Sequence, residues 1–221
     1  GIGERTIPID SLEGINTKQI DWKSLVDGKN PKKDPLADYI PADQHAIFFP
    51  SFWVVAAVVE EAKSQGLPIA RLIEDRSEDS RTQARYERQL CVKLDRLSGW
   101  VVHNLAASIA FTGSDPYLRT GSDVAVLFET QDPEPLKAAI AAAQVLERMA
   151  DSTVIEQKGR ISDIEYVGVR SDDRSVSSYV ASVNNVVVLS NSLYQMECII
   201  HAARKETPVM SSLNEIGRAH V

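Results

Sequence analysis

The chain has 221 residues, with 24 Lys plus Arg against 31 Asp plus Glu, for a formal net charge of −7. Hydrophobic residues at 43% and charged residues at 25% exclude a disordered, collagen-like or heavily disulfide-stapled chain. The acidic balance argues against nucleic acid as a partner, because phosphate binding needs a clustered Lys/Arg surface; the longest mostly apolar run, Ile47 to Val59, is broken by Pro50 and falls short of the roughly 20 residues that span a bilayer.

Residues 1–40 are polar and punctuated by Pro8, Gly14, Gly28, Pro31 and Pro35, with turn chemistry from Asp27 to Pro35 and one short helix predicted near Thr17–Leu25. Ala46-Ile47-Phe48-Phe49 reads as a short buried strand. Pro50-Ser51 then opens a helix predicted from Phe52 to Gln65, with Ser51 as N-cap, Gly66 where a left-handed residue is wanted and Pro68 blocking continuation. The mixed-charge stretch Glu74 to Asp79 reads as solvated. Tyr86, Leu90, Leu94 and Leu97 recur at helical spacing and predict one continuous face that stops before Gly99.

Ala106 to Thr112 reads as a strand, and Asp123 to Glu129 as a central one, since Val124-Ala125-Val126-Leu127-Phe128 is continuously apolar. Asp132-Pro133-Glu134 supplies a cap, a proline at the first helical position and an acidic first turn for an Ala-rich helix to Met149. Strands are predicted at about 153–157, 163–170, 176–183 and 186–189, with Asn184-Asn185 in a two-residue hairpin turn. Asn191-Ser192 offers a cap for a last helix carrying Leu193, Met196, Ile199, Ile200 and Ala203 on one face.

Hairpins dominate this order, and the strands are too close together for repeated parallel crossovers. The predicted fold class is α+β: an antiparallel or mixed β-sheet with helices packed mainly on one face and a hairpin-rich C-terminal half. The predicted organisation is a polar leader over 1–38, one domain over 39–206, and the start of a following segment over 207–221.

Chemistry is best sought between Phe111 and Val126, where Thr-Gly-Ser-Asp occurs twice, at Thr112–Asp115 and Thr120–Asp123. The segment is similar to the Gly-Ser … Ser-Asp-x-Asp pattern of nucleotidyltransferases. In that pattern a Gly-Ser turn holds nucleotide phosphates and two carboxylates two positions apart on one strand hold Mg²⁺, because i and i+2 share a strand face. Here the second position is Ala125. Glu129 shares the face of Asp123 but lies about 20 Å further along at the usual strand rise, so it does not replace the missing ligand. A lone aspartate is a poor Mg²⁺ site. Both Thr-Gly-Ser-Asp copies therefore read first as turns, in which Gly supplies positive φ and Ser or Asp bonds local backbone. A degenerate nucleotidyltransferase-like or other small-molecule site around Gly113–Asp123 is the alternative.

The remaining candidates read as structural. Cys91 and Cys198 belong to no C-x-x-C pair and behave as small hydrophobes, with a disulfide between them left open. His103 follows Trp100-Val101-Val102 at a helix end, His201 sits where a helix C-terminus favours a cation, and His45 lies in a polar approach segment. Glu60-Glu61 are adjacent on a predicted helix and do not face the same way; Ser171-Asp172-Asp173-Arg174-Ser175 reads as a solvated hairpin loop. Phe48, Phe49, Phe52 and Trp53 read as core and helix-entry packing. No elbow, zincin, Walker, dinucleotide or EF-hand motif is present. No residue is assigned a catalytic, cofactor-binding or metal role, and no cofactor is expected.

Two further readings concern origin. Glu215-Ile216-Gly217-Arg218-Ala219-His220-Val221 looks like a translated sequencing adapter, which implies a metagenomic fragment whose own sequence stops near Asn214 and leaves Val209, Met210 and Leu213 poorly packed. The phrases Ile40-Pro41-Ala42-Asp43-Gln44 … Ile47-Phe48-Phe49-Pro50-Ser51, Gly113-Ser114-Asp115-Pro116-Tyr117 … Gly121-Ser122-Asp123-Val124-Ala125-Val126-Leu127-Phe128 and Val186-Val187-Val188-Leu189-Ser190-Asn191-Ser192-Leu193 resemble a group of large bacterial proteins without assigned activity. That resemblance covers roughly residues 36–214 and implies an α+β module, repeated within a longer and extracytoplasmic protein, whose partners would be neighbouring domains of the same chain. The function expected is a non-catalytic structural or binding module.

Overall fold

The computed structural model describes residues 33–51, 53–55, 57, 82–92, 106–115 and 123–212. All the elements below lie in the compact unit Asp34–Val221. Seven strands form a single sheet: β1 His45–Phe49, β2 Ser108–Gly113, β3 Val124–Glu129, β4 Ile155–Ile161, β5 Ile164–Arg170, β6 Ser177–Val183 and β7 Val186–Ser190. Among the described residues it is accompanied by α1 Thr82–Gln89, α2 Pro133–Ala150 and α3 Leu193–Ala203, with 3₁₀ turns at Pro35–Asp38 and Met210–Ser212 and helical backbone also at residues 53–55 and 57.

The strand order is β1-β2-β3-β7-β6-β5-β4, and every neighbouring pair is antiparallel. The fold class is α+β with a hairpin-rich sheet, as predicted. Chain order and sheet order part only where α2 intervenes: β4 to β7 run as a meander that ends by pairing β7 with β3. Asn184 takes φ 53 in the β6–β7 turn, a conformation asparagine tolerates.

The helices cover both sides of the sheet, not mainly one. The core falls into two clusters separated by strand parity. Ala125 and Leu127 of β3, with Ala181, Val186 and Val188, pack under Met196, Ile199 and Ile200 of α3. Val126 and Phe128, with Val180, Val187 and Leu189, pack under Leu136 and Ile140 of α2 and beside Leu90 and Val92. The reason lies in β3, β6 and β7 themselves. All five residues of β7 are buried, and in β6 only Ser182 is not; a strand apolar on both sides must be covered on both.

Both long helices start as the sequence predicts. The Asp132 carboxylate accepts from the Glu134 N–H at 3.2 Å with Pro133 following, and the Ser192 hydroxyl accepts from the Gln195 N–H at 3.3 Å. The face through Tyr86 and Leu90 does not continue to Leu94 and Leu97 as one helix. Cys91 adopts φ 58, its N–H bonds the Arg88 carbonyl at 3.1 Å, and the Val92 N–H reaches back to Glu87 at 2.9 Å. That pair of bonds closes a helix C-terminus, after which Leu90 and Val92 turn into the α2-side core. The same closure recurs after α3 with Lys205 at φ 59.

The compact unit already takes in part of the stretch read as a leader. Leu36 and Ile40 are fully buried against the α3-side cluster, Asp34 capping the 3₁₀ turn that carries Leu36. This segment zips onto the chain after α3: Met210 N–H donates to the Ile40 carbonyl at 2.8 Å and Ala42 N–H to Pro208 at 3.0 Å. Val209 and Met210 are accordingly half-buried, neither in a free tail nor fully enclosed, Val209 bridging antiparallel to Pro41. Trp53, read as core packing, is 63% exposed. Phe48 and Phe49 do pack, one on each side of the sheet. The helix near Thr17–Leu25, Phe52, Glu60, Glu61, Leu94, Leu97, His103, the second Thr-Gly-Ser-Asp copy up to Ser122, Leu213 and the C-terminal heptapeptide lie outside the described residues. No helix among the described residues is long and apolar enough to cross a membrane.

Candidate functional site

The register brings the sequence-selected residues to one end of the sheet. Gly113 pairs with Val124, so Ser114 and Asp123 follow and precede that pair on adjacent strands. On either side of them lie the start of β1, preceded by Asp43 and Gln44, and the end of β7, followed by Ser192 and α3. Gly113 is required by packing: a Cβ there would sit 2.6 Å from the Asp123 carbonyl oxygen, closer than real Cβ atoms come to backbone. The glycine of the first Thr-Gly-Ser-Asp copy thus serves strand closure, whereas sequence reasoning assigned it a positive φ.

Polar groups at this end of the sheet are turned toward one another. Gln44 and Gln195 exchange amide hydrogen bonds, Gln44 Nε2 to Gln195 Oε1 at 2.9 Å and Gln195 Nε2 to Gln44 Oε1 at 2.6 Å. The Thr112 hydroxyl lies 3.0 Å from Gln44 Oε1 and 2.9 Å from the His45 carbonyl, able to donate to either. Asn191 fastens the start of β3: its Oδ1 accepts from Val124 N–H at 2.8 Å while its Nδ2 donates to Gln89 Oε1 at 3.0 Å. The Ser190 hydroxyl sits 2.9 Å from the Val124 carbonyl and accepts from Ser192 N–H at 3.1 Å. Among the described residues no buried side-chain nitrogen or oxygen lacks a hydrogen-bond partner. An amide pair or hydroxyl already satisfied inside the protein has little to offer a ligand without first breaking those bonds.

Asp123 and Ala125 point to the α3 side by strand parity. Ala125 is 1% exposed, between Thr112 and Ser190 in register and within the same cluster as Leu127 and Met196. The place where a second carboxylate would stand is interior apolar space. Glu129 is at the far end of β3, held by the Ser108 hydroxyl at 2.8 Å. Asp43, from a distant part of the chain, lies at the same end of the sheet. Asp43 and Asp123 both act on the first turns of α3, where a hydrogen bond to Cys198 raises the Tyr194 hydroxyl above its ordinary value and both carboxylates add to the rise. Burial raises the Cys198 thiol above its ordinary value, and Asp43, Glu197 and Asp123 add to the rise. Among the described residues no three His, Cys, Asp or Glu side chains gather in a way that could hold a metal ion.

The other candidates are accounted for by local contacts. His201 Nδ1 pairs with Glu206, which the turn after α3 brings back, and Nε2 lies 3.7 Å from Glu197; Glu206 first, then Glu197, raises its pKa. The loop of residues 171–175 closes on Asp173, which accepts from the Ser171 hydroxyl at 2.6 Å and Ser175 N–H at 2.9 Å and is held down at about 2. Ser171 is buried, while Asp172, Asp173 and Arg174 are exposed in a hairpin loop between β5 and β6, as the sequence predicts. Cys91 and Cys198 are free thiols on opposite sides of the sheet, and burial pushes Cys91 up to about 12. His45 is exposed at the start of β1. Sequence reasoning missed Gln44, Gln89, Gln144 and Gln195; glutamines carry no spacing signature, and only tertiary pairing makes them informative. No protein-family model, curated protein or solved structure matches the chain.

Proposed function

We propose that the chain is a non-catalytic structural or binding module, carried within a larger bacterial protein as the resemblance in its phrasing implies. The observation that carries this reading is the enclosure of Ala125. A divalent ion at Asp123 would demand a second carboxylate on the same strand face, and that position is filled core beneath α3. The hydrogen bonds of Gln44, Gln195, Ser190 and Asn191 support it further, because they join β1, β2, β3, β7 and α3 to each other.

A second reading, a degenerate nucleotidyltransferase-like or other small-molecule site around Gly113–Asp123, is favoured by one observation: Asp43 and Asp123 act together on Tyr194 and Cys198. Thermal unfolding in millimolar nucleoside triphosphate with Mg²⁺ separates the two. The module reading expects an unchanged Tm. A rise that the Asp123→Asn variant abolishes would establish the second reading instead, since a ligand that binds only the native state must stabilise it by mass action.

A further inference from the structure

The long helix α2 has two apolar faces, and the sheet uses only one of them. Leu136, Ile140 and Gln144 point inward and are buried. On the opposite side Pro135, Ala138, Ala142, Val145 and Met149 succeed one another in alternating steps of three and four residues, all exposed, with exposed Leu146 beside them. Val145 is 43%, Leu146 62% and Met149 77% exposed. A three-four repeat of apolar residues is the seam by which one helix packs along another, and small residues such as Ala138 and Ala142 let the two axes approach closely. Lone exposed aliphatics are ordinary on protein surfaces; a continuous stripe along one helix is not.

We infer that this stripe is the seam of a homodimer in which α2 packs antiparallel against α2 of a second copy, about a two-fold axis near Ala142. The choice of occupant comes from charge. Glu134 and Arg148 stand two heptads apart, so they share one flank of the stripe, and they bracket Ala142 from either end. An antiparallel two-fold brings like flanks together and places Glu134 of each copy beside Arg148 of the other, twice over; a parallel pairing would put these flanks on opposite sides of the seam, where neither charge meets the other. Their contacts within the chain leave both heads available: Glu134 meets Lys137 one turn on, and Arg148 lies 3.4 Å from Glu156, with side chains 72% and 41% exposed. A lipid surface is disfavoured, because membrane-lying helices carry a Lys/Arg-rich polar face, whereas the charged residues of α2 (Glu134, Lys137, Glu147 and Arg148) cancel. An eighteen-residue helix is about 27 Å long, which makes this a small interface, and the dimer is accordingly weak and concentration-dependent.

The test is sedimentation equilibrium of the full chain up to millimolar concentration, with circular dichroism verifying that each variant is folded. Dimerisation is expected, weakened more than about tenfold by Leu146→Glu, which buries a charge in the seam. Glu134→Arg and Arg148→Glu singly should each weaken it by about three- to tenfold. The double reversal, E134R with R148E, should restore it to near the wild-type constant. A chain that stays monomeric throughout overturns the proposal, as does a dimer indifferent to Leu146→Glu or to the charge reversals. A monomer that co-sediments with phosphatidylcholine vesicles through the same stripe would replace the second copy with a bilayer and overturn it too.

Discussion

The two faces of the sheet are covered by helices of opposite economy. The eleven-residue α3 buries Gln195, Met196, Ile199, Ile200 and Ala202 against β3, β6 and β7, and its one large exposed aromatic is Tyr194. The eighteen-residue α2 buries only Leu136, Ile140 and Gln144 and leaves an apolar stripe outside. A helix that spends most of its apolar residues on its own sheet is explained by its own fold. One that spends fewer than half of them is not, and that difference locates an apolar surface left uncovered among the described residues.

The largest effect that would sharpen this contrast comes from α3. Ile199→Ala, at a fully buried position, is expected to cost about 2–5 kcal/mol in denaturant unfolding, the range for deleting a large core side chain. A cost below about 1 kcal/mol would mean that α3 is not the well-packed side. Next comes Gln144→Ala on α2. Gln144 Nε2 donates to the Ser178 hydroxyl at 2.9 Å, and that hydroxyl donates onward to the Leu90 carbonyl at 2.8 Å. Losing the amide should cost about 1–3 kcal/mol, as for a buried hydrogen bond left unmade, and should loosen the Leu90–Val92 turn in hydrogen exchange. An unchanged exchange pattern there would break the link between α2 and that turn.

The smallest effect is a pH dependence at the end of α3. The pKa of His201 is raised by Glu206 and then Glu197, so the native state holds its proton more tightly than the unfolded chain does. The stabilisation is therefore complete below about pH 6.5, the unfolded value, and fades as pH rises through the raised native value. Comparing Tm of wild type and His201→Gln over this range should show the two converging at alkaline pH. His201 is a third exposed, so solvent keeps the effect slight; a gap that widens with pH would reverse the sign and remove the carboxylate explanation.

Much of the fold could be read residue by residue. Asp132-Pro133 and Ser192 start helices because their side chains bond backbone groups within three positions, and Asn184 turns a hairpin because asparagine tolerates positive φ. The continuous apolarity of Val124 to Phe128 marked a central strand. The break at Cys91 could not be read, because cysteine has no special taste for φ > 0 and the closure is imposed by Leu90 and Val92 entering the core. At the candidate site, the missing carboxylate at Ala125 was visible from spacing alone. The placing of Asp43 at the same end of the sheet and the mutual pairing of Gln44 with Gln195 were not, since 151 residues separate that pair.

Local chemistry thus determined where elements start, where turns fall and that several strands are apolar on both sides. Which helix lies on which side, the return of β7 to β3 across the whole meander, and the end-of-sheet network were decided only by tertiary structure. The physical reason is range. Caps, turns and strand alternation act over a few residues, whereas covering a two-sided sheet is a constraint on the whole unit, met by residues that carry no mark of their partners until the chain has closed.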